Sequence, residues 1–196
     1  MSDILQLIRD NSFEAIHILL RGCHNRISNA KDENNVSALS LATKTLPPLE
    51  AVRLIDALIV AGANLQKRDD EKRNVLLFAC KAGVDPIIFC AILNWNPRRK
   101  NNLVGWWEHF DSSYNGAFVL ACNSGNFDLA EHVLNVALTT VSPTSFLNGE
   151  PNNILKALLF AVEAFDESAA LKVMKMYHKV IDKIPGGYFR SQDRFD

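Results

Sequence analysis

The chain has 196 residues, 48% of them hydrophobic, with 21 Lys and Arg against 22 Asp and Glu and a net charge of −1. That is enough apolar material for one continuous core, and so even a charge balance gives no global attraction to nucleic acid or to an anionic membrane. No apolar run approaches the roughly 20 residues of a membrane-spanning helix, and Met1-Ser2-Asp3-Ile4 lacks the basic-then-apolar order of a signal peptide, so a cytoplasmic protein without membrane insertion is expected.

Taken in chain order, Ile4 to Arg9 reads as a short apolar helix, Asn11-Ser12 as a break with a cap, and Phe13 to Leu20 as a second helix closed by Gly22. The next pair is predicted from about Ala38 to Thr45 and from Leu49 to Val60, divided by Pro47-Pro48 and stopped at Gly62. An apolar phrase then returns at Asn74 to Cys80, at Gly116 to Cys122 and at Lys156 to Val162, each followed by a second apolar helical pattern. The last of these is the long helix from Asp166 to about Asp182. The alanines Ala42, Ala79, Ala121 and Ala161 hold the same place in each phrase, 37, 42 and 40 residues apart. A small residue there lets neighbouring helices approach, while the flanking Leu, Phe and Val fill the seams. One helix pair alone cannot bury its apolar face, so recurrence predicts a stack, closed at its ends by Ile4 to Leu20 and by the long final helix.

Asp32 through Ala42, then Leu58 through Leu65, then Asp69 resembles the ankyrin repeat, whose pattern runs D-x-x-G-x-T-P-L-H-x-A-A-x-x-G before a helix ending L-L-x-x-G-A-D/N. Asp69 to Gly83 fits without gaps, with Leu76, Ala79 and Gly83 on the consensus leucine, alanine and glycine. Asp111 to Gly125 repeats the fit with Phe118, Ala121 and Gly125, and the last unit keeps Leu158 and Ala161 but has Phe165 for the glycine. Threonine-proline is replaced by Ser37-Ala38, Asn74-Val75, Gly116-Ala117 and Lys156-Ala157, and the spacings exceed the usual repeat. The resemblance implies an all-α, ankyrin-like helical-hairpin solenoid of about five units over residues 1–184, with 185–196 a flexible tail or the start of a following region. A general helical-hairpin solenoid is the alternative fold.

Catalytic and metal chemistry find little support. Cys23, Cys80, Cys90 and Cys122 have no CxxC spacing, and Cys80 and Cys122 share one register position, which marks reduced core residues. The neighbours Cys23-His24 and the isolated Ser28-x-x-Lys31 lack the partners of a nucleophilic site, and His17, His109, His132 and His178 are scattered. No phosphate-cradling glycine loop, G-x-S-x-G or H-E-x-x-H occurs. The expectation is a protein that is not an enzyme and takes no cofactor and no metal.

Two stretches are candidate contact surfaces. In the ankyrin resemblance, partners dock on finger tips and first helices, which points here to Glu33, Asn34, Val36, Lys44 and Thr45, then to Asp70, Glu71, Arg73, Lys81 and Ala82, and on to Asn115, Asn123 and Ser124. The charged run Gln66 to Arg73 reads either as part of that surface or as a solvated loop. The second stretch, Asn94 to Phe110, holds all three tryptophans, with Arg98, Arg99 and Lys100 beside Trp106 and Trp107. Either these form a contact site, since Trp and Arg dominate interaction hot spots, or Trp106 and Trp107 plug a gap between units. Three positive charges are a weak footprint for nucleic acid. The expected function is a monomeric protein-interaction module, a scaffold or adaptor binding a partner protein. The alternatives are a regulatory or targeting part of a larger enzyme, and a host-directed bacterial effector acting in host cytoplasm.

Overall fold

A computed structural model describes residues 4–12, 16, 29–95, 109–140, 151–163 and 166–184. The protein is all-α: the described residues form helices, and the sole strand-like feature among them is one antiparallel bridge between Lys31 and Ser37. Helix α1 (Ile4–Arg9) precedes four pairs: α2 (Ala38–Thr45) with α3 (Pro48–Val60), α4 (Val75–Ala82) with α5 (Pro86–Asn94), α6 (Ala117–Asn123) with α7 (Phe127–Thr140), and α8 (Pro151–Glu163) with α9 (Glu167–Ile181). The helix expected over Phe13 to Leu20 lies outside the described residues except for Ile16, which is buried. The segment 185–196 and Phe165 also lie outside them.

Local chemistry sets where the helices start. Ser37 and Asn74 sit in extended backbone and accept the amides of Ser40 and Leu77 with their side chains, capping α2 and α4. Pro48 and Pro86 occupy first-turn positions, where a missing N–H costs nothing. Helix α4 ends at Gly83, whose φ of 64° is left-handed, and a Cβ there would stand 2.9 Å from Ser124 Oγ, so glycine serves both the turn and the contact with the next pair.

The first helices are too short to be stable alone, so packing between pairs holds them. Helices α1, α2, α4, α6 and α8 touch in that order and form one layer; α3, α5, α7 and α9 touch in order and form a second beside it. Ala42, Ala79 and Ala121 are fully buried and Ala161 is 7% exposed, flanked by buried Leu39, Leu76 and Phe118. Burial of each large side chain stabilises the stack by about 1.5–3 kcal/mol. Cys80 and Cys122 are buried free thiols in the first-helix layer, and Cys23 lies outside the described residues.

Candidate functional site

Three loops of one design precede α2, α4 and α6. Each begins with an aspartate, Asp32, Asp69 or Asp111, whose backbone N–H donates four residues on, to the carbonyl of Val36, Arg73 or Asn115. The carboxylate closes the same loop from inside: Asp32 Oδ1 accepts from Val36 N at 2.9 Å, Asp69 Oδ1 from Arg73 N at 2.8 Å, and Asp111 Oδ1 from Asn115 N at 2.9 Å. The other carboxylate oxygen is also held, by Arg9 in the first loop, by Arg73 Nε in the second and by Asn115 Nδ2 in the third. The tight reversal forces the fourth residue into left-handed backbone, with φ of 58° at Asn35, 61° at Lys72 and 59° at Tyr114.

These fingers are also tied to one another. Asp70 N donates to Asn34 O at 3.2 Å, and Asn35 Nδ2 donates to Asp70 Oδ1 at 2.6 Å. Ser112 N donates to Glu71 O at 2.8 Å, and Lys156 Nζ, on α8, reaches Ser113 O at 3.3 Å and Tyr114 O at 3.1 Å. The charged run Gln66 to Arg73 is thus only in part a solvated loop: the Asp69 side chain is 4% exposed and that of Arg73 13%, with Arg73 also bridging Glu71 and lying over the Phe78 ring.

Between the second and third fingers and the first-helix layer lies an open groove of about 590 Å³. It brings together four of the residues expected from register, Glu71, Lys81, Asn115 and Asn123. Its far wall is α8, through Lys156, Leu159, Phe160 and Glu163, and its floor includes Asp111 and Ser113. Phe160 and Leu159 are 44% and 50% exposed, so the wall offers apolar surface. Asn123 Oδ1 is buried and meets no hydrogen-bond partner among the described residues. A smaller hollow of about 230 Å³ shares Asn123 and Phe160 with the groove and deepens it toward Phe127 and Ala169.

The other expected residues fall elsewhere. Glu33, Asn34 and Lys44 are exposed one unit away, on the first finger and α2; Asp70 is exposed on the second finger and Arg73 is engaged within it. Thr45 is half-buried, its hydroxyl donating to Leu41 O. Val36 is a correction: it is 7% exposed, because the loop that Asp32 closes turns it toward the core, so its side chain presents no surface to a partner. Arg98, Arg99, Trp106 and Trp107 lie outside the described residues. Lys156, Leu159, Phe160 and Glu163 are groove residues the sequence reading missed. Continuing the row Lys44, Lys81, Asn123 by one more repeat would have reached Glu163.

One pairing had no sequence signal. Cys90 Sγ lies 2.9 Å from His132 Nε2, across the contact between α5 and α7, and the His132 ring meets Phe89 edge-on. Burial raises the Cys90 thiol above its ordinary value, which disfavours the thiolate that a nucleophile needs. Among the described residues no three His, Cys, Asp or Glu gather as a metal would need, and no helix is long and apolar enough to cross a membrane. What the fold and site define is an all-α protein of packed helix pairs with an open, mixed polar and apolar groove along one side. Compared with known proteins, the sequence matches no family model and no curated protein.

Proposed function

We propose that this protein is a non-catalytic interaction module, a degenerate ankyrin-type solenoid that holds a partner protein in the groove between its fingers and first helices. The observation that carries the reading is the groove itself, where Glu71, Lys81, Asn115 and Asn123 meet the exposed Leu159 and Phe160. The ankyrin-type reading is supported by the fingers, which put a left-handed residue where that pattern has glycine and a capping residue, Ser37 or Asn74, where it has threonine. In this mechanism Leu159 and Phe160 cover an apolar side chain of the partner. Asn115 and Asn123 line the polar side of the groove, and Lys81 and Glu71 select charge at the rim. Docking needs little backbone change, because hydrogen bonds between the fingers already hold the surface.

The test is a quantitative pull-down from lysate with the wild-type chain, a Lys81→Glu, Asn123→Ala variant, and Arg53→Glu on the exposed side of α3 as control, each checked by circular dichroism. A partner held by wild type and control, and reduced about tenfold or more by the groove variant, is the expected result. Retention indifferent to the groove variant, or no enriched protein at all, overturns the reading. Loss on an Arg98→Ala, Arg99→Ala, Trp106→Ala variant instead would move the contact to the tryptophan-bearing stretch.

A further inference from the structure

Counting two residues on from the recurring alanine, α2 carries Lys44, α4 Lys81, α6 Asn123 and α8 Glu163. Lys81, Asn123 and Glu163 line one groove, and α2 packs directly on α4, so Lys44 extends their row by one unit. The row reads as two cations, an uncharged amide and an anion. Lys44, Lys81 and Glu163 take no part in the salt bridges among the described residues, which join Arg9 to Asp32, Arg73 to Asp69 and Glu71, and Lys179 to Glu131. Charges beside the row are used within the protein: Glu71 by Arg73, and Lys156 by the carbonyls of Ser113 and Tyr114. What is left open to a ligand is an ordered series of charges, one place per helix pair.

We infer that the partner segment held here, in a groove whose role rests on the function proposed above, is a polyproline II stretch with acidic residues on two successive turns and a basic residue two turns beyond the second. Packed helices lie about 8–10 Å apart, so the next place in the row comes at that interval. A polyproline II helix advances about 9.3 Å in each three-residue turn, so every third side chain returns to the same side, opposite the next first helix. A β-strand turns residues three apart to opposite sides. The polyproline II backbone makes no internal hydrogen bonds, which leaves its carbonyls for Ser113 and Asn115 in the groove, whereas an α-helix keeps its backbone groups paired within itself. The two acids then stand against Lys44 and Lys81, and the base against Glu163. An apolar residue beside that base covers the exposed Leu159 and Phe160, one helical turn before Glu163 on α8.

Fluorescence anisotropy tests it, with the full chain in about 50 mM salt and the labelled peptide Glu-Pro-Pro-Glu-Pro-Pro-Gln-Pro-Leu-Lys, together with the same residues in reverse order to allow either chain direction. One of the two should bind with a Kd of about 100 μM or tighter, and a peptide of the same composition with its glutamates adjacent at least about tenfold more weakly. Lys81→Glu, at an exposed position, should weaken binding about tenfold, and exchanging the inner glutamate of the peptide for lysine should bring that variant back to within about threefold of the original pair, a recovery that a folding defect does not produce. No binding of either peptide up to about 1 mM overturns the inference, as does binding indifferent to Lys81→Glu or to the spacing of the glutamates. A lysate partner still lost on Lys81→Glu, Asn123→Ala while neither peptide binds removes this charge order alone and leaves the proposed function in place.

Discussion

At the residue scale, the three finger positions at Asn35, Lys72 and Tyr114 carry the clearest conflict between local preference and fold. Left-handed backbone costs a non-glycine residue roughly 1–2 kcal/mol, less for asparagine, and here the aspartate-closed loop imposes it. Tyr114 is 76% exposed, so its side chain returns little of that cost through burial. Tyr114→Gly is therefore expected to stabilise the protein by about 0.5–1 kcal/mol in urea unfolding, the backbone entropy of glycine offsetting part of the relief. A lowered midpoint would show that the Tyr114 side chain makes a contact worth more than the strain. The aspartates that impose the turn were visible in the sequence at 32, 69 and 111, but their inward carboxylates were not, because charged residues in a polar run read equally well as solvated.

Between elements, side chains that cross from one pair to the next matter more than those that complete a single helix. Asn126 accepts the Leu129 amide at 3.0 Å as the cap of α7, and its Nδ2 donates to Gly83 O at 3.0 Å and Val84 O at 3.1 Å in the previous pair. Asn126→Ala removes the cap and leaves those two carbonyls without this donor, so it should cost about 2 kcal/mol, more than a cap alone. The comparison that checks it is Asp85→Ala, where the lost bond is a cap to Ile87 N at 2.8 Å, with an expected cost nearer 1 kcal/mol. Equal costs in chemical unfolding would mean that the link between pairs contributes nothing. Helix positions were legible throughout this part of the chain: Ala38–Thr45 begins and ends as expected, and Pro48–Val60 and Glu167–Ile181 within a residue, because prolines, caps and glycines act within a few residues.

Over the whole molecule, buried thiols couple the stack to pH. Burial pushes Cys122 from its ordinary 9.0 up to about 12, and burial, then the neighbouring Cys122, pushes Cys80 up further. A folded-state value above the unfolded one means that the unfolded chain loses its thiol protons first. The contribution is thus fully present below pH 9 and is lost as pH climbs from 9 toward 12. Stability should fall over that range by about 1.4 kcal/mol per pH unit for each thiol, and Cys122→Ala should remove one thiol's share of the slope. Chemical unfolding at several pH values between those limits measures it; an unchanged slope in Cys122→Ala would mean that the thiol is reached by solvent in the folded protein. Because both thiols lie within the first-helix layer, exposing them to water requires neighbouring pairs to separate.

The sequence by itself determined the four helix pairs seen among the described residues, their order, the alanines at their crossings and the row of first-helix residues that includes Lys81 and Asn123. Each of these depends on contacts among residues close in the chain or on a pattern that repeats, and such information is written locally. Only the tertiary structure decided that Glu71, Asn115 and Asn123 share a groove with Leu159 and Phe160, that Val36 turns inward, and that Leu159, Val162, Met174 and Tyr177 stand open at the end of the described stack. An apolar residue in a repeat reads the same whether the next pair covers it or not. Burial at such a position depends on the neighbour, which the residue itself does not encode.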